Sequence, residues 1–180
     1  FAGGNLETAN DTLIERNASL SSNATLGQFL GSHDEDGFLY SQGNDEGKLK
    51  LAASLQMTAK GQPVIYYGEE LGQSGANNWP EYDNRYNLGW DQVENNGVLD
   101  HYQKLLSFRN DNSELLARGD RETFLGSNDD EWLMVERSLE DESVYMAFNV
   151  SEEPQTITVE TTTAEAQLTD HYSLETMQAM

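Results

Sequence analysis

The chain has 180 residues, 37% of them hydrophobic, so it can bury the core of one ordinary domain or of two small ones. It contains no cysteine, which excludes a disulfide framework and thiolate metal sites. Its 32 acidic residues outnumber its 10 basic ones, and the net charge of −22 repels phosphate backbones and anionic membrane surfaces, so we expect no nucleic-acid or membrane partner.

The first 119 residues alternate between helical and strand patterns. Apolar residues recur at helical spacing in three segments, residues 6–20, 49–60 and 98–110. Short apolar runs typical of buried strands lie between them, at residues 25–30 and 63–67. Asn44 or Asp45 is predicted to cap the second helix, which Gly61 ends, and Asn95 or Asn96 the third. The order α-β-α-β-α predicts an α/β body with polar loops at its strand ends.

After residue 119 the periodicity changes to two. Four segments alternate apolar and polar side chains between polar turns, residues 123–126, 131–138, 142–150 and 155–160. We therefore predict an α/β domain over residues 1–119 and an antiparallel β-sandwich over residues 120–180. The weak pattern of residues 161–180 contains no closing strand, so we expect the sandwich to be truncated. Three β-α elements are also too few to close a parallel sheet, since an eight-stranded barrel takes about 250 residues.

The loop after the first strand, which we call the His-Asp loop (residues 31–37), carries an imidazole next to a carboxylate, His33 and Asp34. Catalytic groups in parallel α/β bodies gather at the carboxyl ends of strands. At such a position this pair can hydrogen-bond the hydroxyls of a sugar ring or stabilise developing positive charge. Taken alone, the pair also fits an ordinary polar turn.

Hard-cation binding is a competing interpretation, because Asp34, Glu35, Asp36 and Asp45 offer oxygen ligands within a short stretch. Their spacing does not match an EF-hand loop. The three histidines lie far apart in different elements, which argues against a transition-metal site. We therefore predict no metal site in this chain.

The loop after the second strand, which we call the aromatic loop (residues 66–90), is rich in tyrosine and tryptophan. Sugar rings stack their apolar faces on such side chains, while charged groups take the hydroxyls. Trp79 lies in a polar stretch and is predicted to be exposed. For Tyr66 and Trp90, a buried core position beneath the loop fits the sequence as well as a contact with a sugar does.

Four segments in this order resemble the alpha-amylase superfamily of retaining glycoside hydrolases. They are LGQFLGSHDEDGF, GQPVIYYGEELG, DNRYNLGWDQ and YQKLLSFRNDNSELLARGD. The resemblance implies the last β/α units of a (β/α)8 TIM barrel, about its seventh and eighth strands, followed by the β-sandwich. It further implies action on α-glucans such as starch or pullulan.

By position in these segments, Asp34 corresponds to the third carboxylate of the family, which grips ring hydroxyls and stabilises the transition state. His33 would assist it by hydrogen bonding. Outer glucan contacts would come from four further side chains, those of Glu35, Trp79, Tyr82 and Arg85. The sequence departs from the family pattern at Ser32, where an asparagine commonly stands, and it lacks the arginine that often follows shortly after the His-Asp pair.

The nucleophile and the acid/base of the family lie on segments that would precede residue 1. The resemblance therefore implies that this chain alone is inactive, that it binds the remainder of the catalytic barrel, and that it needs no cofactor. Any calcium would belong to the preceding part of the enzyme. Since polymeric glucans are too large to enter cells, we expect a secreted bacterial enzyme.

Two readings from other classes stay open at this stage. A non-catalytic carbohydrate-binding module would explain the β region and the aromatic side chains, but not the His-Asp loop. A structural or interaction domain would need only the acidic surface, which confers solubility.

Overall fold

The computed structural model describes residues 6–21, 24–125, 131–158 and 167–178. Its helices are α1 (Leu6–Ser19), α2 (Phe38–Ser41), α3 (Glu46–Thr58), α4 (Gly97–Asp111) and α5 (Ser113–Arg118). Its strands are β1 (Gly27–Gln28), β2 (Gln62–Pro63), β3 (Asp120–Leu125), β4 (Trp132–Leu139), β5 (Glu142–Asn149), β6 (Gln167–Thr169) and β7 (Thr176–Gln178). Two short 3-10 turns cover Glu69–Leu71 and Trp90–Gln92.

Strands β1 and β2 form a parallel pair, with Gly27 opposite Gln62 and α3 as the connection. Both strands are shorter than the predicted strands over residues 25–30 and 63–67. Within the described part of the chain each of these two strands has a paired neighbour on one side only. Because the strands are parallel, the His-Asp loop and the aromatic loop leave the sheet at the same end, where the carboxyl termini of both strands lie.

Each predicted helix cap is made by one of its two candidates. The Asp45 side chain accepts a hydrogen bond from the Lys48 amide at the start of α3, at 3.2 Å. The Asn96 side chain accepts from the amides of Val98 and Leu99 at the start of α4, at 2.9 and 3.0 Å. These bonds satisfy amides that have no partner within the helix, so both helix starts follow from local chemistry.

Helices α3 and α4 pack on each other and on the strand pair. From α3, the Gln56 amide donates to the carbonyls of Gln28 and Val64, both at 2.9 Å, and so ties the helix to β1 and to the segment after β2. The buried core between these elements consists of Leu39, Leu49, Ala53, Met57, Val98, Tyr102 and Leu105. This packing fixes the strand ends from which the two loops emerge.

Strands β3, β4 and β5 form an antiparallel sheet in sequence order. The sheet shares one buried core with α1 and α5, made of Leu6, Leu115, Leu116, Leu133, Val135, Met146 and Phe148. The core therefore takes side chains from both sides of residue 119.

Two buried arginines hold the end of α3. Arg109 donates to the carbonyls of Met57 and Ala59, both at 3.0 Å, and also to that of Gly61. Arg137, on β4, donates to the carbonyl of Thr58 at 3.2 Å. The last carbonyls of a helix have no partner within it, so these guanidinium groups satisfy them.

One predicted strand is wrong in its described part. Residues 155–158 form no ladder, while 159–160 lie outside the described residues. Of residues 155–158 only Ile157 is half-buried and the others are exposed, so the segment buries little apolar area against a neighbour. The predicted β-sandwich stays a prediction, because residues 126–130 and 159–166 also lie outside that part.

The sequence pattern missed the hairpin of β6 and β7, which docks on α4. The Tyr172 hydroxyl lies 2.8 Å from His101 Nδ1, and His101 Nε2 lies 2.9 Å from the Lys50 carbonyl. Because a carbonyl only accepts, Nε2 carries the proton and Nδ1 accepts from Tyr172. This contact links residues 167–178 to α3 and α4. The partners lie far apart along the chain, so the periodicity of the sequence does not reveal the contact.

A parallel α/β part followed by antiparallel strands agrees with the predicted order of fold classes. Among the described residues, no helix has the length and apolar character that a membrane crossing requires.

Candidate functional site

The His-Asp loop and the aromatic loop meet at the carboxyl ends of β1 and β2. The Gly37 amide donates to the Gly75 carbonyl at 2.9 Å, and the Tyr40 amide donates to the Ser74 hydroxyl at 2.9 Å. A side chain at Gly75 would collide with the backbone of Asp83, so the aromatic loop folds on itself where it approaches its neighbour. The two loops therefore form one surface.

His33, Asp34 and Arg85 form a charged cluster on this surface. His33 Nε2 lies 3.2 Å from Asp34 Oδ2, and Arg85 Nη2 lies 3.6 Å from Asp34 Oδ1. Arg85 Nε also donates to the His33 carbonyl at 3.0 Å. The Asp34 side chain is nevertheless 70% exposed, which leaves its oxygens accessible to a ligand.

Two aromatic side chains extend the cluster outward. The Arg85 guanidinium stacks on the Tyr82 ring, with Cζ 4.1 Å from the ring centroid. Trp79 meets Tyr82 edge to face, with ring centroids 5.7 Å apart, and is 80% exposed. An exposed tryptophan beside a stacked arginine offers both an apolar face and hydrogen-bond donors.

The structure thus brings together five of the six predicted site side chains, those of His33, Asp34, Trp79, Tyr82 and Arg85. Glu35 belongs to the same loop, but its side chain is exposed; its backbone carbonyl accepts from Asn84 at 2.8 Å and its backbone amide donates to the Ser32 carbonyl at 3.5 Å.

Three of the carboxylates considered as cation ligands have other surroundings. Asp36 Oδ1 accepts from the Asn77 amide at 2.6 Å, Asp45 caps α3, and Asp34 pairs with Arg85. Within the described ranges, the structure contains no group of three or more histidine, aspartate or glutamate side chains able to hold a metal ion.

Sequence reasoning missed the asparagines that hold the His-Asp loop. Asn84, 1% exposed, donates from Nδ2 to the carbonyls of Ser32, His33 and Glu35. Asn77 donates to the Asp34 carbonyl at 2.6 Å. Four successive carbonyls of the loop therefore accept from side chains of its neighbour. In a polar loop an asparagine is typical of a turn, so no sequence signal distinguishes these two.

Three tyrosine rings of the aromatic loop, those of Tyr66, Tyr67 and Tyr86, pack against one another. Tyr66 and Tyr67 have ring centroids 4.8 Å apart, and Tyr67 and Tyr86 5.4 Å apart. The Tyr66 hydroxyl donates to the Asn84 carbonyl at 3.1 Å. Tyr66 is half-buried, whereas Trp90 is 76% exposed, so of the two interpretations left open for Trp90 the core position is wrong. It lies in a short 3-10 turn at the surface rather than under the loop.

Glu69 is a buried acid beneath the His-Asp loop. It is 5% exposed and accepts a hydrogen bond from the Tyr102 hydroxyl at 2.8 Å. Burial raises the pKa of Glu69 from 4.5 to about 7; the bond from Tyr102 opposes this rise and the charge of Glu70 adds to it. The same burial, with the charge of Glu69, raises the pKa of Tyr102.

We expect Glu69→Gln to stabilise the chain at alkaline pH. The raised folded-state pKa means that the stability contributed by Glu69 is present below pH 4.5 and is lost as the pH rises through about 7. The loss amounts to about 1.4 kcal/mol per pH unit, and in full is on the order of 3 kcal/mol. Glutamine cannot ionise, and its oxygen still accepts from Tyr102.

Urea unfolding at pH 5 and pH 8 measures this effect. The variant should gain on the wild type at pH 8 and lose most of that gain at pH 5. The exposed Glu114→Gln serves as the matched control and should show no comparable change with pH. A Glu69→Gln effect of equal size at both pH values would contradict the expectation.

Chemically, the surface can bind an uncharged polyhydroxylated ligand. The accessible carboxylate accepts from hydroxyls, the imidazole and guanidinium donate to them, and Trp79 offers a stacking face. Asp34 can also stabilise positive charge that develops on a ligand beside it.

Known proteins resemble this chain in sequence. The sequence-family model for the alpha-amylase catalytic domain matches residues 5–153. Neopullulanase 2 of Thermoactinomyces vulgaris is 34% identical over 133 residues, which cover 73% of this chain and 22% of that enzyme. The chain thus spans less than a quarter of this relative.

Solved structures share the fold. An Anoxybacillus alpha-amylase superposes with a TM-score of 0.80 at 22% identity, covering 98% of this chain and 38% of that one. An alpha-amylase of Geobacillus thermoleovorans, solved with acarbose, superposes with a TM-score of 0.79 at 22% identity, covering 97% of this chain and 39% of that one.

Proposed function

The chain belongs to the alpha-amylase family, and we propose that it forms one sector of the catalytic barrel of a retaining glycoside hydrolase that acts on α-glucans such as starch or pullulan. The observation that carries this proposal is the accessible Asp34 carboxylate at the strand ends, flanked by His33 and Arg85.

In this proposal Asp34 binds ring hydroxyls at the cleavage site and stabilises the positive charge of the oxocarbenium-like transition state. His33 donates to the same sugar. Arg85, Tyr82, Trp79 and Glu35 contact further glucose units along the surface of the aromatic loop.

The nucleophile and the acid/base belong, in this proposal, to the rest of the barrel. Retaining hydrolysis requires two carboxyl groups about 5 to 5.5 Å apart across the scissile bond. Phe29 and Val64, which directly follow β1 and β2, are 52% and 48% exposed. Apolar side chains beside a parallel sheet are normally covered, which supports a neighbouring element at this position. The remainder of the barrel would cover these two side chains.

A carbohydrate-binding module over residues 120–180 has less support. Its sheet shares a core with Leu6, Leu115 and Leu116. The apolar surface on which the sheet packs therefore belongs to residues 1–119 and not to the module itself. An interaction domain would leave the accessible carboxylate and exposed Trp79 without a role. We also propose an extracellular location, because polymeric glucans do not enter cells.

Comparing this chain with the longer enzyme that contains it tests the proposal. Release of reducing ends from starch, pullulan and cyclodextrin is measured for both. We expect hydrolysis by the longer enzyme and none by the chain alone. Hydrolysis by the chain alone, or a longer enzyme inert on every α-glucan, would refute the proposal.

A further inference from the structure

We infer that Asn84 is the positioning residue that sets His33 and Asp34 against the bound sugar. The inference deepens the proposed function and rests on it, because it assigns the geometry of the transition-state contact to a side chain that touches no substrate.

The contacts of Asn84 concentrate on the loop that carries the pair. Its Nδ2 lies 2.8 Å from the Glu35 carbonyl, 3.0 Å from that of His33 and 3.4 Å from that of Ser32. The carbonyl oxygens therefore converge on one nitrogen from both sides of Asp34. The side chains of His33 and Asp34 are 65% and 70% exposed, so they do not anchor the loop by their own packing.

Asn84 is itself fixed by the elements beneath it. The backbone amide of Asn84 donates to the Ala76 carbonyl at 3.1 Å, and the backbone carbonyl of Asn84 accepts from the Tyr66 hydroxyl at 3.1 Å. Tyr66 lies shortly after strand β2. Asn84 therefore connects the His-Asp loop to the segment that leaves the sheet. Residues that lock the orientation of a reactive group in this way support precise placement.

The chemistry of the site requires a donor here. Carbonyl oxygens only accept, and an amide nitrogen supplies two N–H groups that several carbonyls can share. A carboxylate of the same size would turn an acceptor toward three acceptors and repel the loop. A displacement of about 1 Å in a catalytic group can lower turnover about 100-fold.

The experiment uses Asn84→Asp in the enzyme that contains this chain, with Asn84→Ala as the uncharged second variant. Asn87→Asp is the matched control, because Asn87 is exposed in the same loop and makes the same change of charge. We expect kcat to fall about 100-fold in both Asn84 variants and to stay within about 2-fold of wild type in the control.

A double-mutant cycle separates positioning from a general loss of fold. In the Asp34→Asn background, an Asn84 substitution should lower kcat by less than about 3-fold, because the group that it positions is already disabled. A residue needed only for folding would lower kcat by the same factor in both backgrounds, and that result would overturn the inference.

Amide hydrogen exchange of the intact enzyme gives a readout independent of activity. Exchange over residues 32–37 should accelerate in the Asn84 variants and stay unchanged over α4. Unchanged exchange over residues 32–37 would overturn the inference even if Asp34 proved essential. Conversely, normal activity of Asp34→Asn would refute the proposed function while leaving the exchange result readable. If Asn84→Asp does not fold, Asn84→Ala carries the same comparisons.

Discussion

Replacing Asp34 with Asn should lower kcat of the proposed longer enzyme by about 1,000-fold, equivalent to about 4 kcal/mol of transition-state stabilisation. The amide keeps the size of the carboxylate but removes its charge. Positive charge develops on the sugar only in the transition state, so the loss should appear in kcat more than in KM. Initial rates on starch and pullulan measure both constants.

Asp91→Asn is the control for this substitution. Asp91 lies exposed just after the aromatic loop, so the variant removes the same charge at a position to which we assign no role. Its kcat should stay close to that of the wild type. Near-normal activity of Asp34→Asn would show that the assignment of Asp34 is wrong.

Arg137→Met should destabilise the chain by about 4 kcal/mol, the largest effect on folding that we expect. Arg137 is fully buried and its guanidinium donates to the carbonyls of Thr58, Leu115, Gly119 and Asp120. Thr58 ends α3, and Leu115 and Gly119 lie at the end of α5, where helix dipoles favour a cation. Methionine fills much of the volume but donates no hydrogen bond. The Leu115 carbonyl keeps its bond from the Gly119 amide, whereas all four carbonyls lose the guanidinium as a donor.

Burial lowers the pKa of Arg137 to about 10, with the charges of Arg109 and Arg121 acting in the same direction, so the group stays charged at neutral pH. The free energy of urea unfolding at pH 7 measures the loss. The matched control is Arg118→Met, because the Arg118 side chain is 78% exposed and its pair with Glu114 spans 3.6 Å. That variant should change stability by less than about 1 kcal/mol. Equal effects of both substitutions would contradict the role assigned to Arg137.

Local chemistry made the starts of α3 and α4 and the position of the His-Asp loop predictable, whereas the short helices α2 and α5 were not predicted. Asp45 and Asn96 cap their helices through side-chain contacts within three residues, which a sequence pattern contains. The placement of Asp34 at a strand end was predictable because a polar run directly follows an apolar segment, and parallel strands bring such runs to the same end of the sheet. Its catalytic role stays a prediction that rests on the family resemblance.

Contacts between distant segments were not predictable. Asn84 meets the His-Asp loop about 50 residues away in sequence, and its residue type favours a turn. Arg137 shares the inward face of β4 with Leu133 and Val135, but its charge favours an exposed position. Trp90 shows the converse, since its apolar character favours a core that the short turn does not provide. In each case the tertiary partner decides, and the sequence does not name it.

A crystal structure of the proposed longer enzyme, soaked with acarbose, tests the central claim most directly. The claim predicts an Asp34 carboxylate oxygen within about 3 Å of a ring hydroxyl of the inhibitor, with His33 on the same sugar. An inhibitor seated in the active site with His33 and Asp34 both out of hydrogen-bond reach would contradict it.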